Sequence, residues 1–465
     1  MSAIRSFLIA ALLGATPLMA QQPTVQLAGL AKGDSITADS TAPATTKKAK
    51  PAKPARFEAP TMEISYMRAP DQRGLNVFES PKQELVPFTG FKLSWGGAFT
   101  QQFQNLTHEN TAAPKMVGTV DQNSLIQIGS GFNNADANLF LNVQLARGIR
   151  VAVETYASSR HHNETWVKDG YFLIDASPIE SELLDNIMQY ATLKVGHFEV
   201  NYGDEHFRRS DNGQTMYNPF VGNFIIDDFT TEIGAEAYLR RGPWMGMFGV
   251  TGGEVKGQVT APGQRGPSWL AKAGFDQQLN SDLRVRLTGS MYKKDRSSNG
   301  TLTSGDRAGS RYYDVLENVS STEATNAWSG AVQSGMRSIV TAFVVNPFVK
   351  LGNAEFFGNV ETMTGAASNE AYRRTLRQTV GEGLYRFAGD KLYVGGRYGT
   401  VFGQLPGIGN DIEVRRSQIG GGWYLTPNVL SKIEFVRQNY GGFPTTDIRI
   451  GGKFQGFMIE GAVAF

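Results

Sequence analysis

From about residue 91 to the C-terminus, apolar and polar residues alternate along the chain with a period of two. Between Ala137 and Leu145 every odd position is apolar, and the even positions are mostly Asn or Gln. Residues 146–148 (Ala-Arg-Gly) then turn the chain, and the alternation resumes at Ile149. Two strands that each carry one apolar face and are joined by a tight turn predict an antiparallel hairpin with a lipid-compatible face.

The same alternation recurs in sixteen segments, an even number, as single-chain outer-membrane barrels require. The predicted strands are 91–104, 137–146, 149–157, 165–175, 191–202, 231–241, 244–252, 267–277, 282–292, 335–349, 353–363, 374–387, 391–401, 413–425, 428–440 and 456–465. The predicted fold class is therefore all-β: a transmembrane, antiparallel, up-and-down β-barrel.

The connections between these strands alternate in length. The short ones are 147–148, 242–243, 278–281, 350–352, 388–390 and 426–427. The long ones are 105–136, 203–230, 253–266, 293–334 and 441–455, with shorter members at 158–164, 364–373 and 402–412. This parity predicts short periplasmic turns and long extracellular loops. The connection 176–190 is long although it falls on the short-turn side, and its apolar spacing predicts a brief helix.

A secreted β-sandwich would also contain alternating strands, but a sandwich buries its apolar face on a second sheet and usually carries bulkier residues there. In this chain the face opposite the charges combines aliphatic residues with Gly and Ala. Aromatic residues near strand ends also fit the interfacial belts of a membrane barrel. They are Trp95, Trp166, Trp244, Trp269, Trp423, Tyr398 and Tyr424.

Composition divides the chain into four parts. These are a signal peptide at 1–20, a disordered Lys/Ala/Pro-rich linker at 21–56, a periplasmic lead-in at 57–90 and the barrel at 91–465. The apolar core of the first part is too short to span a bilayer, which favours a removed signal over an uncleaved anchor. Export predicts the outer membrane of a Gram-negative cell. Cysteine is absent, so no disulfide or thiolate site is involved.

Charge is distributed unevenly. The formal net charge is +2, with +4 in residues 23–56 and −3 in residues 57–465. A nearly neutral body gives no support for nucleic-acid binding. The basic stretch is expected to be a solvated linker, and a tether to anionic lipid or cell-wall polymer is the alternative.

The final strand alternates from Phe457 and stops at an aromatic residue, Phe465. A terminal Phe that closes an alternating strand resembles the assembly signal of outer-membrane barrel proteins. The expected partners are therefore the barrel-assembly machinery, through Phe465, and the lipid and lipopolysaccharide of the outer membrane.

Four segments are similar to pieces of the phosphate-selective porin family, in order over roughly 165–465. They are 168–172 (KDGYF), 193–199 (LKVGHFE), 392–398 (LYVGGRY) and 423–429 (WYLTPNV). The resemblance implies a sixteen-stranded porin, a homotrimer, with long loops folded inward to narrow the channel. That family uses ladders of Lys and Arg, whereas the inward positions here carry both signs, so phosphate is not implied as the solute.

Charged residues on the inward faces are the candidate pore-lining residues, since charge around a narrow aqueous passage sets an electrostatic barrier for ions. They are Arg150, Glu154, Glu232, Glu236, Arg240, Arg284, Arg286, Glu355, Glu361, Arg397, Lys432 and Glu434. The alternative is that they pair across strands and only hold the wall together.

The connection 203–230 is the candidate constriction loop, because charges of both signs and the aromatic residues of 217–220 suit a folded segment that filters by size. Its candidate residues are His206, Arg208, Arg209, Asp227 and Asp228. An external surface loop is the alternative.

Neither catalysis nor a cofactor is expected. His161 and His162 are adjacent at a strand end and would point to opposite faces, so we do not expect them to hold one metal ion. The sequence contains no Ser–His or paired acidic constellation with local spacing that would indicate an enzyme.

Strand number, loop parity and polar inward faces predict a porin that passes small hydrophilic solutes or ions by diffusion through a water-filled lumen. A structural or adhesive barrel without an open channel is the second hypothesis. A gated transporter is disfavoured because the chain before Phe91 is short and polar for a plug.

Overall fold

In the computed structural model of the chain, the described residues are 64, 67–79, 82, 87–159, 165–253, 263, 265–297, 299–305, 311–322 and 329–465. They all belong to one compact unit, 57–465. The predicted signal, the predicted linker and the His161–His162 pair lie outside the described residues.

The strands, numbered in chain order, include sixteen long ones and one small hairpin, β2–β3. They are β1 (Lys92–Glu109), β2 (Met116–Val117), β3 (Val120–Asp121), β4 (Gly131–Ala146), β5 (Ile149–Ser158), β6 (Thr165–Ile174), β7 (Ala191–Glu199), β8 (Thr231–Arg241), β9 (Trp244–Thr251), β10 (Ser268–Gln278), β11 (Leu283–Lys294), β12 (Ile339–Leu351), β13 (Ala354–Ala366), β14 (Arg374–Phe387), β15 (Leu392–Gly403), β16 (Ile412–Thr426), β17 (Val429–Gly441) and β18 (Lys453–Ala464). Helix α1 spans Glu182–Met188, and 3₁₀ turns span Gln72–Gly74 and Glu205–Phe207.

The sixteen long strands form one closed, antiparallel barrel in which each strand pairs with its neighbours in sequence. The barrel closes where β1 pairs with β18, in a register that runs from Ala98 opposite Ala464 to Glu109 opposite Lys453. Phe465 extends this closure, because its backbone N–H and carbonyl bond the carbonyl and N–H of Gly97 at 2.9 and 3.0 Å. The predicted all-β barrel of sixteen strands is confirmed, and each predicted strand overlaps one strand of the barrel.

The two ends of the barrel differ as the connection lengths predicted. At the short-turn end, two to four residues join most strand pairs, and the longer connection after β6 contains the predicted brief helix, α1. Ser181 caps that helix by accepting a hydrogen bond from the Leu184 N–H, as N-cap serines do. The long loops lie at the other end, which we call the long-loop end. Among the described residues, no helix is long and apolar enough to cross a membrane.

Strand β17 illustrates how the two faces of the wall differ. Lys432 and Glu434 point inward and are 2 % and 1 % exposed, whereas Ile433 and Phe435 point outward and are 51 % and 37 % exposed. A strand with period two separates these groups onto opposite faces. An outer surface of exposed aliphatic and aromatic side chains, with charged side chains on the inward face of the wall, is that of a transmembrane barrel.

Most aromatic residues predicted for the interfacial belts do lie on the outer face: Trp95, Trp244, Trp269, Trp423 and Tyr398 are all exposed. The prediction was wrong for Trp166, which lies opposite the inward-facing Tyr156 with the two ring centroids 5.8 Å apart. It was also wrong for Tyr424, which is 2 % exposed because it points inward. Its hydroxyl donates to the Met216 carbonyl at 3.0 Å. Adjacent strand residues face opposite ways, so Trp423 and Tyr424 could not both lie on the outer surface.

The apolar core lies inside the barrel, between the wall and segments that fold into the lumen. Val221, Ile225 and Ile226, from the connection between β7 and β8, pack in the same cluster as Val401 of β15 and Val414 of β16. A sixteen-stranded wall is too wide for its own side chains to fill, so these inserted segments supply the missing volume.

Candidate functional site

The connection between β7 and β8, residues 200–230, lies inside the barrel, and we call it the lumen loop. Almost all of its residues are buried. Lys432 on β17 donates hydrogen bonds to the carbonyls of Thr215, Asn218 and Phe220 at 3.0, 3.1 and 3.0 Å. The alternative of an external surface loop was therefore wrong.

Two more wall residues bind the backbone of the lumen loop. The Glu434 carboxylate accepts hydrogen bonds from the N–H groups of Val221 and Gly222 at 2.8 and 3.2 Å. Arg397 donates to the Gly222 carbonyl at 2.7 Å and to the Asn218 side chain at 2.9 Å. Charged groups that satisfy buried backbone donors and acceptors make an irregular segment tolerable in the interior.

A second long connection, between β11 and β12, also enters the lumen. The Tyr312 hydroxyl donates to Glu434 at 2.6 Å, and Arg311 pairs with Asp136 at 2.9 Å. A Cβ added to Gly222 would lie 2.0 Å from the Tyr312 hydroxyl oxygen. The lumen loop can approach Tyr312 this closely only because that position is glycine.

Residues 67–79 enter the lumen at the short-turn end, and we call them the plug segment. On one side the Gln72 backbone N–H donates to the Pro427 carbonyl at 2.9 Å, and its side chain donates to the Asp390 carbonyl at 2.7 Å. On another side of the barrel, Asn76 donates to Glu355 at 2.9 Å. The polar groups of this short segment find partners on the inner wall, which allows it to lie inside the lumen.

The plug segment ends in a buried ion cluster. The Glu79 carboxylate lies 2.9 Å from Lys272 Nζ on β10 and 2.8 Å from Arg286 on β11. Burial alone would raise the pKa of Glu79, but these two cations hold the pKa well below its usual range. Phe78 is also buried, with its ring edge-on to Phe348 at 5.4 Å between centroids.

The plug segment and the lumen loop meet inside the barrel. Arg68 donates to the Phe207 carbonyl at 2.8 Å, and the Tyr217 hydroxyl donates to the Ala69 carbonyl at 2.6 Å. The Arg68 guanidinium also lies over the Tyr217 ring, 3.5 Å from its centroid, a cation–π contact. Segments that enter from opposite ends therefore form one packed unit.

All twelve predicted pore-lining residues lie on the lumen side of the wall, where they differ in what they contact. Those that contact the lumen loop are Glu236, Arg286, Glu361, Arg397, Lys432 and Glu434. Those that contact the plug segment are Arg284, Arg286 and Glu355. Those that line a cavity are Arg150, Glu154 and Arg240. Glu232 pairs with Lys294 of the wall at 3.1 Å. Their role in lining a conducting pore stays a prediction.

Cross-strand pairing, the alternative for these charges, also occurs. Arg397 on β15 lies directly opposite Glu382 on β14, and the two side chains are 2.7 Å apart. Lys432 lies opposite Glu460 in the same way and forms an ion pair with it. These wall charges thus hold both their neighbouring strands and the inserted segments.

The candidate constriction residues are all buried or half-buried in the lumen. Arg208 pairs with Glu382 at 2.5 Å, and Arg209 pairs with Asp227 at 2.7 Å. Burial and the nearby Lys272 hold the pKa of His206 well below its usual value, so this imidazole is neutral at pH 7.

Asp228 belongs to a group of buried carboxyls with Glu205 of the lumen loop and Glu361 of β13. The Tyr202 hydroxyl donates to Glu361 at 2.8 Å. One oxygen of each carboxyl has no hydrogen-bond partner among the described residues. Burial, followed by the neighbouring carboxylates, raises the pKa of Glu205 and of Asp228 well above their usual values, which favours the protonated form of both carboxyls.

Raising the pH is therefore expected to destabilise the packed lumen loop. A carboxyl whose pKa is higher in the folded than in the unfolded chain favours folding at low pH, and that contribution falls as the pH rises above the unfolded value of about 4. The denaturant midpoint of the detergent-solubilised protein should decrease between pH 5 and pH 9. The double variant Glu205→Gln/Asp228→Asn should show a flatter dependence, and equal slopes for both proteins would contradict this assignment.

A cavity of about 460 Å³ lies between the inner wall, the lumen loop and the plug segment. Strands β5 to β8 supply most of its wall, and aromatic side chains such as Tyr171, Phe207 and Tyr217 line it together with charged groups. Of the candidate constriction residues, His206 and Arg209 reach this cavity. Its volume lies in the range of small-molecule sites.

Sequence reasoning missed several charged lumen residues, for two reasons. Lys272 and Glu382 follow the same alternation as the residues that were predicted, so the pattern could have identified them. Lys168 could not be identified in this way, because β6 contains a bulge. The register passes from Glu154 opposite Asp169 to Thr155 opposite Val167, which leaves Lys168 as an extra residue. A bulge of this kind lets two consecutive residues, Lys168 and Asp169, both face the lumen.

Of the known proteins compared with this chain, solved structures are similar to it. No protein-family model matches the chain, and no curated protein matches it. A loop-deletion mutant of OmpT, an outer membrane protein of Vibrio cholerae, is similar at a TM-score of 0.49 and 11 % identity, over 81 % of this chain and 100 % of that one. OprB of Pseudomonas putida is similar at a TM-score of 0.49 and 10 % identity, over 81 % of this chain and 94 % of OprB. An anion-selective porin from Comamonas acidovorans is similar at a TM-score of 0.47 and 10 % identity, over 81 % of this chain and 100 % of the porin.

These similarities carry no functional assignment, and the resemblance to phosphate-selective porins stays a prediction. Among the described residues, no group of three or more His, Asp or Glu side chains is arranged to hold a metal ion. The function is therefore inferred from the closed barrel, from the charged residues of its inner wall and from the segments that lie inside it.

Proposed function

We propose that the chain is an outer-membrane porin that lets small hydrophilic solutes or ions diffuse passively through its lumen. The lumen loop and the plug segment narrow the passage, and no catalytic step is involved. Location in the outer membrane, contact with its lipid and lipopolysaccharide, and assembly as a homotrimer belong to the same proposal.

One observation carries this proposal: the inner wall carries buried ion pairs at both ends of the barrel, outside the apolar core that the inserted segments form with the wall. At the short-turn end Arg150 pairs with Asp175 at 2.8 Å, and at the long-loop end Glu232 pairs with Lys294 at 3.1 Å. A barrel that served only as a scaffold could fill its interior with apolar side chains, since buried ion pairs contribute little or nothing to stability compared with well-packed apolar residues. Charged walls favour water and polar solutes instead.

A second candidate, a structural or adhesive barrel without an open channel, is favoured by the packing of the lumen loop and the plug segment across the lumen. The two functions differ in what the purified protein does to a membrane. Only a porin makes vesicles permeable to solutes that are smaller than its passage.

Swelling of proteoliposomes in sugar solutions tests the proposal. Vesicles that contain the folded mature protein should swell in a monosaccharide solution and swell progressively more slowly as the sugar becomes larger. Vesicles reconstituted with the same amount of heat-unfolded protein should not swell. Folded protein that gives no swelling with any sugar and no current in a planar bilayer would contradict the porin and favour the closed barrel.

A further inference from the structure

We propose that three arginines on the outward face of β14, β16 and β17 bind phosphate groups of lipopolysaccharide, at the long-loop end of the barrel. They are Arg377, Arg415 and Arg437, all of which are exposed, and we call them the arginine patch. The inference rests on the proposed function, because only the outer membrane presents this glycolipid to the outside of the barrel wall.

Strand pairing places Arg415 and Arg437 side by side on the outer wall. Each has an exposed side chain between two buried neighbours in its strand, so both point away from the lumen. In the register of β16 and β17, Arg415 lies opposite Asn439 and Arg437 lies opposite Ser417. The two arginines are therefore diagonal neighbours about 7–8 Å apart, and their guanidinium groups can converge on one phosphate.

Arg377 brings a third guanidinium group to the same area from β14. It lies opposite Phe402 of β15, whereas Arg415 lies opposite Thr400 of the same strand. Two strand spacings across the sheet and two residues along it put the Cα atoms of Arg377 and Arg415 about 12 Å apart. A lipid that carries more than one phosphate can contact both.

The arginine patch lies where the apolar band of the outer wall ends. On β16 the exposed apolar residues Leu425, Trp423 and Ile419 lead up to Ser417 and Arg415. The ten residues from Leu425 to Arg415 rise about 26 Å along the membrane normal in a strand tilted by about 40°. Because the apolar band of such barrels is about 25 Å tall, the guanidinium groups reach the depth of the lipid headgroups.

The positive charge of the arginine patch is not balanced by the protein. Arg415 pairs with Glu413 at 2.7 Å, and the other two members pair with no carboxylate among the described residues. Three arginines against one glutamate leave a net charge of +2. The neighbouring Lys453 adds nothing to it, because it pairs with Glu109 at 2.7 Å.

Phosphate is the anion that fits this charge at this depth. A planar guanidinium group binds phosphate oxygens through two parallel hydrogen bonds, and basic residues at the membrane surface attract anionic headgroups. The arginines face away from the lumen, so a solute inside the barrel does not contact them. The anionic groups within their reach are those of the surrounding lipid.

The residues between the arginines suit the rest of a glycolipid. Thr400, Ser417 and Asn439 lie on the same outward face and offer hydroxyl or amide groups to sugar oxygens. Tyr398 and Phe402 expose their rings beside them. Aromatic residues are typical of the boundary between lipid tails and headgroups.

Native mass spectrometry of the full chain in detergent, titrated with lipid A, tests the inference. Lipid A, the anchor of lipopolysaccharide, is used in its phosphorylated form and, as the matched probe, with the same acyl chains but without phosphate. The phosphorylated form should bind at least about tenfold more tightly, which corresponds to about 1.4 kcal/mol, because only this form makes charge-assisted hydrogen bonds with arginine.

The variants Arg415→Gln and Arg437→Gln should each weaken binding of phosphorylated lipid A by about fivefold, which corresponds to about 1 kcal/mol for one basic residue at an anionic membrane surface. The triple variant, which also contains Arg377→Gln, should bind both forms of lipid A equally. The control variant Arg147→Gln removes an exposed arginine from the turn between β4 and β5, at the opposite end of the barrel, and should bind as the wild type does. Since all four side chains are exposed, these variants are expected to fold.

Equal binding of the two forms of lipid A by the wild type, or unchanged affinity in the folded variants, would overturn the inference. Native mass spectrometry does not require conduction, so its outcome is separate from that of the swelling experiment. A protein that conducts but binds both forms equally would be a porin without this site. A protein that prefers phosphorylated lipid A but does not conduct would keep the site and lose the proposed channel.

Discussion

Deletion of the plug segment, residues 67–79, is expected to raise the single-channel conductance by at least about twofold, because a sixteen-stranded wall leaves an aqueous channel when nothing is inserted in it. The segment reaches from the turns that contain Asp390 and Pro427 to the ion cluster of Glu79 with Lys272 and Arg286. Its removal opens the lumen from the short-turn end. Conductance steps in planar bilayers are the measurement.

A crosslink provides the matched control for this deletion, since the chain has no native cysteine. The Gln72 N–H and the Pro427 carbonyl form a backbone hydrogen bond of 2.9 Å, which brings the two residues close enough for a disulfide. In Gln72→Cys/Pro427→Cys, the oxidised protein should keep the low conductance. Deletion of residues 23–56, which leaves the plug segment intact, should also change nothing. An unchanged conductance after deletion of 67–79 would mean that the plug segment does not limit the passage.

The variant Lys432→Met is expected to destabilise the protein by about 3–5 kcal/mol, the usual effect of breaking a buried ion pair by removing one partner. Lys432 is 2 % exposed, and its loss leaves the Glu460 carboxylate buried without its cation. It also leaves three carbonyls of the lumen loop without their donor. Denaturant unfolding in detergent measures the change in free energy, and limited proteolysis should show faster cleavage within 200–230.

Two variants separate this effect from a general cost of losing a lysine. Lys293→Met breaks an ion pair with Asp295 in which both side chains are about half exposed, and it should change the free energy of unfolding by less than about 1 kcal/mol. The double variant Lys432→Met/Glu460→Gln should recover part of the loss, because it removes the unpaired charge. If Lys432→Met were no more harmful than Lys293→Met, Lys432 would not anchor the lumen loop.

The wall of this protein could be predicted from the sequence because a lipid-facing strand has a strict local signature. The alternation in β17, for example, separates Lys432 and Glu434 from Ile433 and Phe435 without reference to any other strand. The short turns and α1 followed from equally local patterns. Strand ends differ from prediction by a few residues, since pairing can continue past the membrane-spanning part, as at β1, which reaches Glu109.

The interior was harder to predict because its residues are stabilised by distant partners. The lumen loop mixes charged residues with apolar ones such as Phe224, Ile225 and Ile226, a composition that suggested an inward-folded loop without excluding an external one. Its contacts with Arg397, Lys432 and Glu434 distinguish the two. The plug segment is also polar, and its Glu79 is paired with Lys272 and Arg286, which lie roughly 200 residues away in the sequence. No local pattern contains that information.

Conductance of the complete protein in a planar lipid bilayer shows whether the lumen forms an open passage. Folded protein should give discrete, reproducible current steps, and the steps should be larger after residues 67–79 are deleted. Folded protein that inserts into the bilayer and passes no current, both with and without residues 67–79, would contradict the account and indicate a barrel without a channel.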